Sequence, residues 1–98
     1  MAYTISYTES ALEDIAYFRK HERVLIIDAI EQQLMYEPMR EVRNRKPLDP
    51  NTLASWEVRV GKYRIFYDVE IHETLVLVKA VGWKEHNTLY IRGQEYHL

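Results

Sequence analysis

The sequence contains no cysteine, three glycines and three prolines. Without cysteine, disulfides, thiolate metal ligands and a thiol nucleophile are all excluded, and a cytoplasmic location is the expectation that fits. The prolines Pro38, Pro47 and Pro50 all fall between residues 37 and 55, so the rest of the chain is free of the residue that interrupts helices and central strands. No apolar run approaches the roughly 18 residues of a membrane span. The first residues lack the charged-then-apolar order of a secretory signal, so neither membrane nor export is expected. Also missing are a Gly-rich phosphate loop, a dinucleotide fingerprint and a Ser–His–Asp order, which removes nucleotide-cofactor and serine-hydrolase readings. The four histidines, His21, His72, His86 and His97, are scattered without ligand spacing. Neither a metal nor any other cofactor is therefore expected.

What is present suits a small packed domain. Residues 1–98 form one unit near the lower size limit for a self-sufficient core, and 47% hydrophobic and 12% aromatic content argues against disorder. "AYTISYT" alternates Tyr3, Ile5 and Tyr7 as an opening strand. Thr8 or Ser10 can cap the next helix, and Ser10 with Glu13 has capping-box spacing. Ala11, Leu12, Ile15, Ala16 and Phe18 form a helical stripe, followed by a break near His21. A second helix then carries Val24, Ile27, Ala29, Ile30 and Leu34 on one face and stops at Pro38. Residues 37–55 show no periodicity and read as a long loop of the functional or mobile kind.

The run "SWEVRVGKYRIFYDVE" alternates with period two on both sides of Gly61-Lys62, a pair suited to a two-residue II′ turn. That turn sets Arg59 opposite Arg64 and Glu57 opposite Phe66. Trp56, Val58, Val60, Tyr63, Ile65 and Tyr67 then share the core face, and Glu57, Arg59, Arg64 and Phe66 the other. Opposed like charges destabilise a sheet, so an anion on this face would remove the penalty. "TLVLVKAVGW" reads as a central strand. The tail folds back onto the sheet, with a helical turn near residues 84–91. The fold class is α+β, ordered β-α-α-β-β-β plus a tail, with a mostly antiparallel four-stranded sheet and a two-helix hairpin on one face. The net charge of −2 is unevenly spread. Residues 38–64 hold seven basic side chains against three acidic ones, so a basic face stands on an acidic body; a solvated loop plus a charged strand face is the bland alternative.

This order of elements, with "NRKPL", "WEVRVGKYRIFYDV", "LVKAVGWKEHNTLY" and "YIRGQEYHL", resembles the RelE/ParE superfamily of bacterial toxins from type II toxin–antitoxin modules. The resemblance covers nearly the whole chain. It implies one of two activities on one fold: ribosome-dependent cleavage of messenger RNA, as in RelE-like members, or inhibition of DNA gyrase, as in ParE-like members. It also implies a cognate antitoxin as partner. A degenerate relative that only binds a partner is a third reading.

The nuclease reading needs phosphate oxygens held and protons moved. Arginine's planar fork suits the first task. By resemblance, Arg64 falls on a phosphate-stabilising arginine, Arg59 on a basic strand position, Lys84 on a second stabilising arginine, and Tyr90 on a C-terminal tyrosine that stacks on or orients RNA. Glu57 stands where these nucleases carry lysine; it serves either as a general base or as a salt-bridge partner for Arg59. His86 is the acid candidate by its ordinary pKa near ~6.5. Arg43, Arg45, Lys46 and Lys62 are candidate RNA contacts. Phe66 is either a stacking platform or a residue covered by the tail.

Overall fold

The computed structural model describes residues 2–98. Two helices and seven strands follow one another: β1 (Thr4–Tyr7), α1 (Glu9–Tyr17), α2 (Lys20–Leu34), β2 (Arg45–Pro47), β3 (Trp56–Val60), β4 (Tyr63–Glu70), β5 (Leu75–Glu85), β6 (Thr88–Ile91) and β7 (Gln94–Tyr96). The α+β class and the helix layer agree with expectation, while the strand count is higher. Extra strands come from the loop, which contributes β2, and from the tail, where β6 and β7 replace the expected helical turn. The sheet runs β2-β3-β4-β5-β6-β7, with β1 parallel to β5 and the remaining pairs antiparallel.

Thr8 caps α1: its side chain accepts from the Ala11 N–H at 3.0 Å, and its hydroxyl donates to the Lys79 carbonyl at 3.3 Å. Ser10, the alternative cap, lies inside the helix. Thr8→Ala is expected to lose about 1 kcal/mol in urea denaturation. At the other end of α1, Arg23 Nη1 donates to the Phe18 carbonyl at 2.7 Å and supports the sharp turn into α2. The buried stripe of α2 is Ile26, Ile30 and Leu34, whereas Val24 is exposed. These side chains join Ala11, Ile15 and Phe18 against Val58, Tyr63, Ile65, Tyr67, Val76, Val78 and Val81 of the sheet. Buried Tyr67 finds its one polar partner in the Pro38 carbonyl, 2.6 Å away, and burial pushes its hydroxyl pKa upward.

The opposite sheet face is only partly covered. Phe66, Ala80, Leu89 and Ala54 are buried there beneath Leu48, Leu53, Ile91 and Tyr96. The covering loop is held by Asn51, whose side-chain oxygen accepts from the N–H groups of Leu53 (2.6 Å) and Ala54 (3.0 Å), an Asx turn. A register shift between Phe66 and Tyr67 inserts Lys79 as an extra residue on β5, so Ala80 faces Phe66 and Val81 faces Ile65. Strands β1 and β6 occupy the same edge of β5, over Leu75–Val78 and Trp83–Glu85. The gap between them leaves the Val81 N–H without a strand partner, and buried Asp14 of α1 accepts it at 3.0 Å. Burial pushes the Asp14 carboxyl pKa upward, against the opposing effect of that backbone bond and of Arg92, 2.9 Å from its other oxygen.

Candidate functional site

The β3–β4 hairpin closes as its sequence demands. Val60 pairs with Tyr63, and Gly61 has φ of +58° while Lys62 stays at negative φ, the pattern of a II′ turn. Arg59 and Arg64 face each other directly across the strands. With Arg43, Asn44 and Gly61 they line an open cleft of about 320 Å³.

Hydrogen bonds hold this cleft in shape. The Arg59 backbone N–H donates to the Asn44 carbonyl at 2.7 Å, and the Asn44 amide donates to the Arg59 carbonyl at 3.2 Å and to Gln33 Oε1 at 2.7 Å. Arg59 Nη2 donates to the Arg43 carbonyl at 2.9 Å. Loop, strand and helix are thus tied together at one point. Arg64 Nη1 donates to the carbonyls of Gly61 (2.9 Å) and Tyr63 (3.0 Å), while its buried Nε has no partner. Burial lowers the Arg64 pKa, the charge of Arg59 lowers it further, and the Glu57 carboxylate works the other way. Two guanidinium groups lining one cleft form a donor site for an oxyanion.

Glu57 lies between Lys46 on β2 and Phe66 on β4, and it is buried. Among the described residues it makes no ion pair, so the expected bridge to Arg59 is not formed. Lys46 opposes Glu57 on the arginine face and is exposed; Lys62 sits at the hairpin turn with Nζ 5.6 Å from the Tyr63 ring centre.

Three other expected residues are placed differently. Arg45 opposes Val58 and therefore points to the helix side of the sheet. There Nη1 donates to the carbonyls of Glu37 (2.9 Å) and Arg40 (3.3 Å), and Nη2 donates to that of Gln33 (2.9 Å). Its fork is spent on the end of α2 and is not free for RNA. Phe66 is fully buried and offers no ring to solvent, because the Asn51 loop and the tail cover it. Tyr90 opposes Trp83, which packs on the helix side, and stacks on that indole at 5.6 Å and 21°. It therefore lies on the face opposite Arg59 and Arg64. Its hydroxyl has no hydrogen bond among the described residues, so Tyr90→Phe is expected to change activity by no more than about twofold in a toxicity titration.

Lys84 shares the arginine face but lines another hollow, of about 270 Å³, with Asn87, Glu95, Tyr96 and His97. Its backbone N–H donates to the Lys62 carbonyl at 2.8 Å, which joins the two strand ends. His86 is exposed in the β5–β6 turn at φ of +52° and makes no hydrogen bond among the described residues. Asn44 was not singled out in the sequence, although it opens the "NRKPL" stretch and sits between two arginines.

The fold agrees with that of known toxins. The model of the ParE toxin family of type II toxin–antitoxin systems matches residues 5–87. The fold is shared with the toxin–antitoxin complex RelBE2 from Mycobacterium tuberculosis, at 24% identity and a TM-score of 0.75 over 86% of this chain and 93% of that one. It is shared with the archaeal RelE–RelB complex from Pyrococcus horikoshii, at 16% identity and a TM-score of 0.68 over 88% and 99%. The isolated E. coli RelE toxin superposes with a TM-score of 0.66 at 22% identity over 87% of each chain. No curated protein matches the chain in sequence. The chain belongs to the RelE/ParE superfamily and is a toxin of a type II toxin–antitoxin module.

Proposed function

We propose that this toxin stops translation by cutting messenger RNA on the ribosome, with the arginine cleft as the seat of the scissile phosphate. The observation that carries this reading is the opposed pair Arg59 and Arg64, whose mutual repulsion is relieved by a phosphodiester in the cleft they line. In cleavage by the RNA's own 2′-hydroxyl, that oxygen bonds to phosphorus as its proton leaves. The 5′-oxygen departs with a proton taken from water, leaving a 2′,3′-cyclic phosphate. Arg59 and Arg64 stabilise the charge that builds on the phosphorane. The 2′-hydroxyl proton passes to water, because Glu57, the carboxylate on this face, is buried and does not line the cleft. Purified protein added to a cell-free translation reaction should suppress product from intact message, and Arg59→Ala should restore it; undiminished translation would refute the reading.

A second reading, inhibition of DNA gyrase through protein contacts, is favoured by the ParE family match and by Tyr90 lying away from the cleft. Supercoiling by purified gyrase, insensitive to this protein, separates the two. A cognate antitoxin accompanies either activity. The basic cleft suits an acidic, partly disordered segment that folds on binding, and the solved relatives are themselves toxin–antitoxin complexes.

A further inference from the structure

A second hollow lies beside the arginine cleft, on the other side of the hairpin turn. Gly61 lines the cleft, and its neighbour Lys62 lines a pocket of about 360 Å³ with Tyr17, Phe18, Arg19, Glu22 and Trp83. Only the two-residue turn separates the two. The pocket is walled by aromatic rings in fixed orientations. Trp83 stacks with Tyr90 (5.6 Å, 21°) and with Tyr17 (5.7 Å, 14°), and Phe18 meets the indole edge-on at 5.6 Å and 75°. With one face against Trp83, Tyr17 remains 54% exposed, a large apolar ring that the fold leaves open to solvent.

We propose that this pocket is a nucleobase subsite, in which a base of the RNA strand stacks on the exposed Tyr17 ring while the neighbouring phosphate occupies the arginine cleft. The inference rests on the reading of the cleft as a phosphate seat and adds the direction in which the strand leaves it, over the Gly61–Lys62 turn. Stacking suits the geometry because a base is planar and every base presents a π-face. The flanking charges have matching tasks. Lys62 and Arg19 can meet the backbone that carries the base. The Glu22 carboxylate, already accepting the Tyr63 hydroxyl at 2.5 Å, faces a neutral ring and can accept from an exocyclic amine. The arrangement is rigid before binding, since that bond ties α2 to β4, so the base meets a wall that needs no rearrangement.

Binding of a tetracytidylate with 2′-O-methyl riboses, which cannot be cleaved, tests this against the same sugar–phosphate backbone lacking bases. The parent protein should bind the base-bearing strand about tenfold more tightly or better. Tyr17→Ala should bind both strands alike, at the affinity of the abasic one, and Tyr17→Phe should retain the preference. Melting curves confirm that each variant is folded. A parent protein that binds both strands equally, or a preference that survives Tyr17→Ala, overturns the subsite while leaving the cleft intact. Failure of the parent to bind either strand overturns both the subsite and the phosphate seat.

Discussion

Arg64→Ala is expected to lower toxicity by at least about 100-fold, the scale of removing one donor from a developing oxyanion. The melting temperature should stay within about 3 °C of the parent, because no large stabilising term is removed. The physical reason is the site's own imbalance. Arg64 stands opposite Arg59, its pKa is lowered by burial and by that neighbour, and its Nε has no partner. Truncation removes two backbone bonds from Nη1 but also removes the opposed charge and the orphaned donor, so the terms offset. Arg64→Lys should recover only part of the activity, since an ammonium keeps the charge and loses the fork. Toxicity retained by soluble Arg64→Ala, measured by induced growth arrest, would remove the cleft from the mechanism.

Arg45→Ala should behave in the opposite way, with a large loss of stability. Its guanidinium donates to three carbonyls at and beyond the C-terminus of α2, those of Gln33, Glu37 and Arg40. The Glu37 carbonyl also accepts the Arg40 N–H at 3.1 Å, and a cation at this end complements the helix dipole. Removing this clamp is expected to destabilise the fold by about 2–3 kcal/mol, given ~1 kcal/mol or more for each bond to a charged group. For a domain of this size that is a fall of roughly 10 °C or more in melting temperature. Arg45→Lys should rescue little, because one ammonium cannot span three carbonyls. A stable Arg45→Ala protein with impaired RNA binding would return this residue to the binding surface.

The contrast between these two arginines marks what was legible in the sequence. The β3–β4 hairpin could be read to the residue, because its alternation and its Gly61-Lys62 turn leave one register. The cleft followed from that register. Arg45 did not, because β2 is only three residues long and too short to show a period, and one step of register moves a side chain to the other face. The tail was misread for a related reason. It doubles back through two tight turns whose central residues all have positive φ: His86 (52°) with Asn87 (67°), and Arg92 (50°) with Gly93 (77°). Histidine and arginine seldom signal that conformation, although the Asn and the Gly beside them do. Once β5 continues to Glu85 and β6 returns, Tyr90 must oppose Trp83 and leave the arginine face.

Asp14 was hidden for a different reason. A carboxylate in a helix reads as solvated, and its burial arises only because β1 and β6 share one edge of β5 and leave a backbone N–H between them. Arg92 then closes over it and also reaches Glu13 at 2.7 Å, which fastens the tail hairpin to α1. The helix stripe of α2 was read one residue out of phase at Ile26, since Val24, Ile26 and Ile27 are equally apolar and only packing chooses among them.

The most direct test of the cleft as an RNA-cutting centre is to map message 5′ ends in cells after brief induction, for the parent and for Arg64→Ala side by side. The predicted result is new ends within translated regions that appear with the parent protein, depend on ongoing translation and vanish in the variant. Growth arrest by the parent with full-length messages would contradict it.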